Sequence, residues 1–103
     1  MMRTIRWAVL SLALLQGAAI AAPVEAMLKS KNCMACHSVD NKIVGPAFKA
    51  IAAKYKGDKN AVTLLAGKIQ KGSVGVWGPV PMGPNMITGD EAKQLATWIL
   101  AQK

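Results

Sequence analysis

The sequence predicts an all-α fold with about four short helices around one core. Apolar residues recur at the i, i+3, i+4, i+7 spacing of an amphipathic helix in three stretches after residue 46. The residues at this spacing are Phe48, Ile51, Ala52 and Tyr55; Val62, Leu65, Ala66 and Ile69; and Ala92, Leu95, Ala96 and Ile99. No stretch alternates apolar and polar residues as a half-buried strand would, so helices packed on helices are expected.

The first 21 residues are predicted to be a secretory signal peptide and not part of the fold. Arg3 and Arg6 form a positive start, an apolar core follows at residues 7–15, and Ala-Ile-Ala at 19–21 resembles a cleavage site. An uncleaved anchor is the alternative, but the apolar run falls short of the ~20 residues that a spanning helix needs. Cleavage after residue 21 would leave residues 22–103 as one exported domain without stable membrane insertion.

Four segments of this domain are predicted to be helical, with approximate bounds of 24–32, 47–56, 59–71 and 89–103. Pro23 stands near the start of the first helix, where proline is tolerated. Gly57 and Gly72 end the second and third helices, as glycine commonly does. Thr88 and Glu91 form the S/T-x-x-E pattern of a capping box at the start of the fourth helix.

The segment from Gly72 to Pro84 is predicted to be a functional loop. It contains four glycines and three prolines, so it can be neither a helix nor a central strand. A loop of this length in a small domain is usually functional or disordered. Its apolar residues argue against disorder; they are Val74, Val76, Trp77, Val80 and Met82.

Both cysteines and the single histidine lie in one motif, Cys33-Met34-Ala35-Cys36-His37. C-x-x-C-H is the attachment signature of c-type haem. On a helical turn, residues at i and i+3 lie on one face, so Cys33 and Cys36 can both form thioethers with the vinyl groups along one porphyrin edge. His37 follows directly and can turn its imidazole onto the iron. The motif therefore predicts one covalently attached haem c.

Three other interpretations of the motif are weaker. A structural zinc site normally needs four Cys or His ligands, and this chain offers three. A thioredoxin-like dithiol would require a βαβ pattern around C-x-x-C, which the sequence lacks. A plain disulfide would leave the adjacent histidine without a role.

A six-coordinate iron needs a second axial ligand, and methionine is the remaining candidate. His/Met ligation raises the reduction potential and suits electron transfer. Met82 lies in a loop that Pro81 and Pro84 stiffen, so it is favoured over Met86, which can equally serve as a gap-filling side chain. The other methionines lie in the signal peptide, in the haem motif or upstream of it.

Residues 22–103 resemble the short class I cytochromes c of bacteria, which are small periplasmic monohaem carriers that serve nitrite reductases and terminal oxidases. The motifs that carry the resemblance are C-M-A-C-H at 33–37, V-G-P-A-F at 44–48, G-S-V-G-V-W-G-P-V-P-M at 72–82, P-N at 84–85 and the last helix with Trp98. The resemblance implies a fold of about four short helices wrapped around one haem, which Cys33 and Cys36 anchor. One position departs from the pattern, because Gly83 stands where members usually have proline.

The resemblance also implies a role for several residues around the iron. His37 would be the proximal ligand and Met82 the distal one. The Pro46 carbonyl would accept the His37 Nδ1 proton, a bond that fixes the tautomer. Trp77 would bond a haem propionate, although simple packing would also explain it. Asn85 would donate to the Met82 sulfur, although it could equally be a turn residue.

Three function classes compete for such a chain: a diffusible one-electron carrier, a haem enzyme or gas sensor, and a detached domain of a larger redox complex. An enzyme or sensor needs an open site with polar distal groups. Residues 22–103 contain no arginine and no second histidine, so no catalytic residue is predicted. The expected protein is a monomeric carrier whose partners are a reductase, an oxidase or a cytochrome complex.

The charge is basic but scattered. Of the 13 Lys and Arg residues, Arg3 and Arg6 lie in the signal segment, so residues 22–103 keep eleven lysines against five acidic residues, a formal charge of +6. Such a pattern is most often a solvated face, and it can also steer a protein toward acidic partners. Nucleic acid is not an expected partner of an exported chain without an aromatic–basic patch.

Overall fold

A computed structural model describes residues 23–103, so the predicted signal peptide and its cleavage point lie outside the described residues. The described elements are α1 (Val24–Ser30), a 3₁₀ turn (Cys33–Ala35), α2 (Phe48–Lys54), α3 (Ala61–Lys71) and α4 (Gly89–Leu100). β-type backbone pairing in this range is limited to two isolated antiparallel bridges, His37 with Lys42 and Ser73 with Met82. The all-α prediction is confirmed. None of these helices is long and apolar enough to cross a membrane.

The observed helices are shorter than predicted at several ends. α1 stops at Ser30 because Asn32 adopts a left-handed conformation, with φ of 56°, which no α-helix continues. The chain then enters the 3₁₀ turn that carries the first cysteine. The C-x-x-C-H motif therefore begins on a turn separate from α1.

α4 is the centre of the packing, since it contacts α3, α2 and α1. Ala92 and Ala96 are fully buried on α4, and their small side chains let neighbouring helices approach closely. Leu95 is 1% exposed, and burying such a side chain contributes about 1.5–3 kcal/mol. The predicted apolar stripes face this core, which consists of Met27, Leu28, Phe48, Ile51, Leu65, Ala66, Ile69, Ala92, Leu95, Ala96 and Ile99.

The predicted capping box is present at the start of α4. The Glu91 amide donates to Thr88 Oγ1 and the Thr88 amide donates to Glu91 Oε1, both at 3.2 Å. These bonds occupy amide groups that the first helical turn would otherwise leave without partners. The bond from the Thr88 amide, the bond with the Thr88 side chain and the nearby Lys31 charge lower the pKa of the Glu91 carboxyl.

Replacing Glu91 with glutamine is expected to make the stability of the protein less sensitive to acid. The pKa of Glu91 is lower in the folded chain than its ordinary value of 4.5, so its stabilising effect is complete above that value. This effect is lost as the pH falls through the lower pKa of the folded state, where the carboxylate takes up a proton. Urea unfolding at neutral pH and near pH 3 measures the difference. An equal loss of stability in acid for the wild type and E91Q would contradict the prediction.

Candidate functional site

A cleft of about 390 Å³ opens between the haem motif and the loop that connects α3 to α4. Its floor is apolar and consists of core residues, namely Leu28, Phe48, Ile51, Leu65, Ile69, Leu95 and Ile99. Cys33, Cys36 and His37 line the cleft from the motif, and Trp77, Met82 and Asn85 line it from the loop. Pro46 lines it as well. The fold thus brings all seven predicted site residues to one apolar cavity.

A tight backbone turn holds the two cysteines. The amides of Cys36 and His37 both donate to the Cys33 carbonyl, at 3.2 and 3.0 Å. The Cys33 side chain is half-buried and the Cys36 side chain is exposed. Burial raises the pKa of the Cys33 thiol, although a backbone hydrogen bond opposes this shift. Both cysteines line the same cleft, as the thioether prediction requires.

The hydrogen bond at His37 assigns its tautomer. Nδ1 lies 2.7 Å from the Pro46 carbonyl oxygen. A carbonyl can only accept, so in the neutral imidazole Nδ1 carries the proton and Nε2 keeps its lone pair. An imidazole in this state can ligate a metal through Nε2. The contact predicted between Pro46 and His37 is thus formed in the structure.

Phe48 and Gly45, to which the sequence assigned no role at the iron, confine the His37 ring. The Phe48 ring stacks on it with centroids 5.2 Å apart and planes 19° apart, and Trp98 supports Phe48 edge-on at 5.3 Å. Gly45 lies so close that a Cβ atom there would be 2.5 Å from His37 Cε1. Both residues belong to the V-G-P-A-F segment at 44–48, and their nearness in sequence to Pro46 is the signal that could have identified them. The ring is held by packing as well as by its hydrogen bond.

The backbone of Met82 is fixed by pairing with Ser73. The Ser73 amide donates to the Met82 carbonyl at 3.0 Å, and the Met82 amide donates to the Ser73 carbonyl at 2.8 Å. The Met82 side chain is half-buried against the core and lines the cleft. Met86, in contrast, is 92% exposed and is not among the residues that line the cleft.

Trp77 borders the cleft but remains 42% exposed. The Lys54 ammonium lies 5.7 Å from the centroid of its ring, within the range of a cation–π contact. This contact connects α2 to the long loop. The hydrogen bond predicted between Trp77 and a propionate stays a prediction.

Asn85 has a partner that the sequence analysis did not predict. Its side-chain Nδ2 and its backbone amide both donate to the Ile69 carbonyl, at 2.9 and 3.2 Å. This carbonyl lies in the last turn of α3, where helix carbonyls lack an intrahelical partner. A carboxamide nitrogen has two hydrogens, so the second remains for the bond to the Met82 sulfur, which stays a prediction.

The donor set of the cleft fits a covalently attached haem. Two thiols, an imidazole with a free Nε2 and a soft thioether border one apolar space, and these are the groups that attach and ligate haem in proteins. Among the residues lining the cleft, three are lysines (Lys31, Lys42 and Lys68) and none is acidic. A flat apolar group with anionic substituents suits this composition.

Comparisons with known proteins agree with this description. The family model described as "Cytochrome c" matches residues 21–103. Cytochrome c-551 of Pseudomonas aeruginosa is 53% identical over 79 residues, which are 77% of this chain and 76% of that protein. Cytochrome c-552 of Hydrogenobacter thermophilus is 58% identical, over 77% of this chain and 81% of that protein. The crystal structure of Nitrosomonas europaea cytochrome c552 superposes with a TM-score of 0.74 at 54% identity and covers 77% of this chain and 99% of its own.

Proposed function

The chain belongs to the cytochrome c family, whose members carry electrons on a covalently attached haem c, and we propose that it is a periplasmic one-electron carrier whose iron is ligated by His37 and Met82. Cys33 and Cys36 are the proposed thioether anchors. The observation that supports this proposal most strongly is the presence of the two cysteines, the His37 imidazole and the Met82 thioether around one apolar cleft.

When bound, the haem supplies an iron that alternates between the ferric and ferrous states. The residues of the chain limit the structural change that accompanies this electron transfer. His37 is oriented by the Pro46 carbonyl and the Phe48 ring, and the Met82 backbone is fixed by Ser73. Because both ligand segments are held by the protein, we expect neither side chain to move far when the charge on the iron changes. The apolar side chains of the floor offer water few hydrogen-bond partners in the space between them.

An absorption spectrum of the purified holoprotein tests the proposal. A His/Met site is closed, so the ferric protein should show the weak charge-transfer band of a methionine–iron bond in the red to near infrared. Its spectrum should not change on addition of imidazole or cyanide at low concentration. A high-spin spectrum that shifts on addition of these ligands would indicate an open site and would favour a haem enzyme or gas sensor.

The proposed partners are respiratory redox proteins, such as a nitrite reductase or terminal oxidase, with an acidic surface at the contact. The three lysines that line the cleft carry positive charge close to the group that exchanges electrons. Export through the predicted signal peptide would place the carrier in the periplasm, where such partners reside. A monomer suits a protein that must dissociate after each transfer.

Electron transfer to an acidic partner is expected to slow as salt rises. Ions screen charges that are farther apart than ~8–10 Å at ordinary ionic strength, so steering by the lysines weakens. Stopped-flow absorbance measures the rate at which an acidic partner protein oxidises the ferrous protein. The measurement is repeated at increasing sodium chloride concentration. A rate that stays constant or rises would show that exposed apolar side chains at the cleft mouth, such as Val76 and Val80, govern docking instead.

Replacing Gly83 with proline is expected to stabilise the holoprotein by ~0.4–1 kcal/mol, because proline restricts the unfolded loop. A Cβ at Gly83 meets nothing within 4 Å, and its amide makes none of the backbone hydrogen bonds found in residues 23–103. The preceding residue, Met82, is paired as a bridge with Ser73, and extended backbone is what a residue before proline prefers. The variant should also keep its methionine–iron band to higher pH. Loss of the band at neutral pH would contradict the prediction.

A further inference from the structure

Met86 presents its thioether to solvent on a backbone that is held in place. Its side chain is 92% exposed, the largest exposed fraction among the large apolar residues of the described chain. The backbone on both sides is bonded to α3, since the Asn85 amide donates to the Ile69 carbonyl and Gln70 Nε2 donates to the Ile87 carbonyl. Lys31 Nζ donates to the Met86 carbonyl itself. The backbone that carries Met86 is therefore held by hydrogen bonds to α3 and to Lys31.

The four methionines of the domain differ widely in their access to solvent. Met27 is 2% exposed in the core, Met82 is half-buried at the cleft, Met34 is 43% exposed and Met86 is 92% exposed. Oxidation of a thioether requires contact between its sulfur and the oxidant. The exposed fraction of each methionine therefore sets the order of their oxidation rates. A methionine bound to iron is slower still, because the lone pair that attacks the oxidant is shared with the metal.

We propose that Met86 is a site of reversible oxidation by hydrogen peroxide, which it consumes before the ligand Met82 is damaged. The Met86 sulfur attacks one peroxide oxygen, the O–O bond breaks, and an S=O bond forms. The other oxygen leaves as water, so the sulfur loses two electrons and peroxide gains them. A methionine sulfoxide reductase can restore the thioether. The inference rests on the proposed ligation by Met82.

Oxidation at these two positions would have opposite consequences. The Met86 side chain is almost fully in water, so a polar sulfoxide there disrupts no packing. The Met82 side chain packs against the core and is the proposed iron ligand, and a sulfoxide there would replace a soft donor with a polar group. Each Met86 can therefore remove one equivalent of peroxide while electron transfer continues.

The test treats the ferric holoprotein with one equivalent of hydrogen peroxide and maps the sulfoxide by tandem mass spectrometry. Met82 and Met86 fall in one tryptic peptide, residues 72–93, and fragments on either side of Pro84 distinguish them. We expect about tenfold more sulfoxide on Met86 than on Met82, with the methionine–iron band retained. M86L should lose several-fold more of this band by the time the peroxide is consumed. M34L is the matched control, and because Met34 is less exposed than Met86, it should lose less of the band than M86L does.

A larger sulfoxide yield on Met34 or Met82 than on Met86 would overturn the inference, and so would an equal final loss of the band in M86L and the wild type. Failure of the underlying ligand assignment gives a different result. If Met86 ligated the iron, M86L would lack the band before any peroxide is added. The spectrum of the untreated variant therefore separates the two cases.

Discussion

Replacing Met82 with alanine is expected to abolish the methionine–iron charge-transfer band and to open the iron to exogenous ligands. Met82 is half-buried and lines the cleft, and an alanine at this position cannot reach the iron. His/Met ligation raises the reduction potential, so the potential should also fall. Titration with imidazole, followed by absorbance, should show binding at concentrations that leave the wild type unchanged.

Met86→Ala is the matched control for this experiment. It removes the same side chain four residues further along the loop, where the side chain lies in solvent and contributes no packing. Its spectrum and its response to imidazole should equal those of the wild type. If M86A loses the band and M82A retains it, the ligand assignment is wrong and the loop must approach the cleft with its other methionine.

Much of the site was predictable because its signals are local in sequence. The spacing of Cys33, Cys36 and His37 indicates haem attachment without any knowledge of tertiary structure. The apolar stripes of α3 and α4 likewise predict which faces are buried, and the structure buries Leu65 and Leu95. In each case a short run of the chain, at most about two helical turns, contains the whole pattern, so the sequence is sufficient.

Contacts between distant segments were harder to predict. Asn85 bonds the Ile69 carbonyl because α3 ends at Lys71 and leaves that carbonyl without a helical partner. Such a bond depends on where α3 ends and on how the loop returns to it, and neither is encoded in the residues around Asn85. The stacking of Phe48 on His37 has the same origin, since the helical stripe of Phe48 predicts burial but not the ring that it meets.

The close approach of Gly72 to the Met82 loop is a further contact of this kind, and it leads to a strong prediction. Gly72 has φ of 84° and ψ of 173°, a region that essentially only glycine occupies. A Cβ there would lie 2.6 Å from the Met82 carbonyl oxygen and 3.2 Å from Gly83 C. Both are backbone atoms, so neither can move away without displacing the loop that positions Met82.

Gly72→Ala is therefore expected to destabilise the holoprotein through two effects and to weaken the methionine–iron bond. Backbone strain alone costs about 1–3 kcal/mol, and relief of the overlap costs about 1–3 kcal/mol more. Guanidinium chloride unfolding measures the stability. The methionine–iron band measures the ligand, and it should disappear at lower pH and lower denaturant concentration than in the wild type.

Gly57→Ala separates strain from overlap, because Gly57 has a similar φ of 80° but a Cβ there would meet nothing within 4 Å. This control should lose about 1–2 kcal/mol from its left-handed backbone and should keep the wild-type pH dependence of the methionine–iron band. The band is compared at denaturant concentrations where the two variants are equally stable. A difference in the band under these conditions isolates the contact between Gly72 and Met82. If both variants weaken the band equally, the loss reflects global stability alone, and the close approach at Gly72 does not hold the ligand loop.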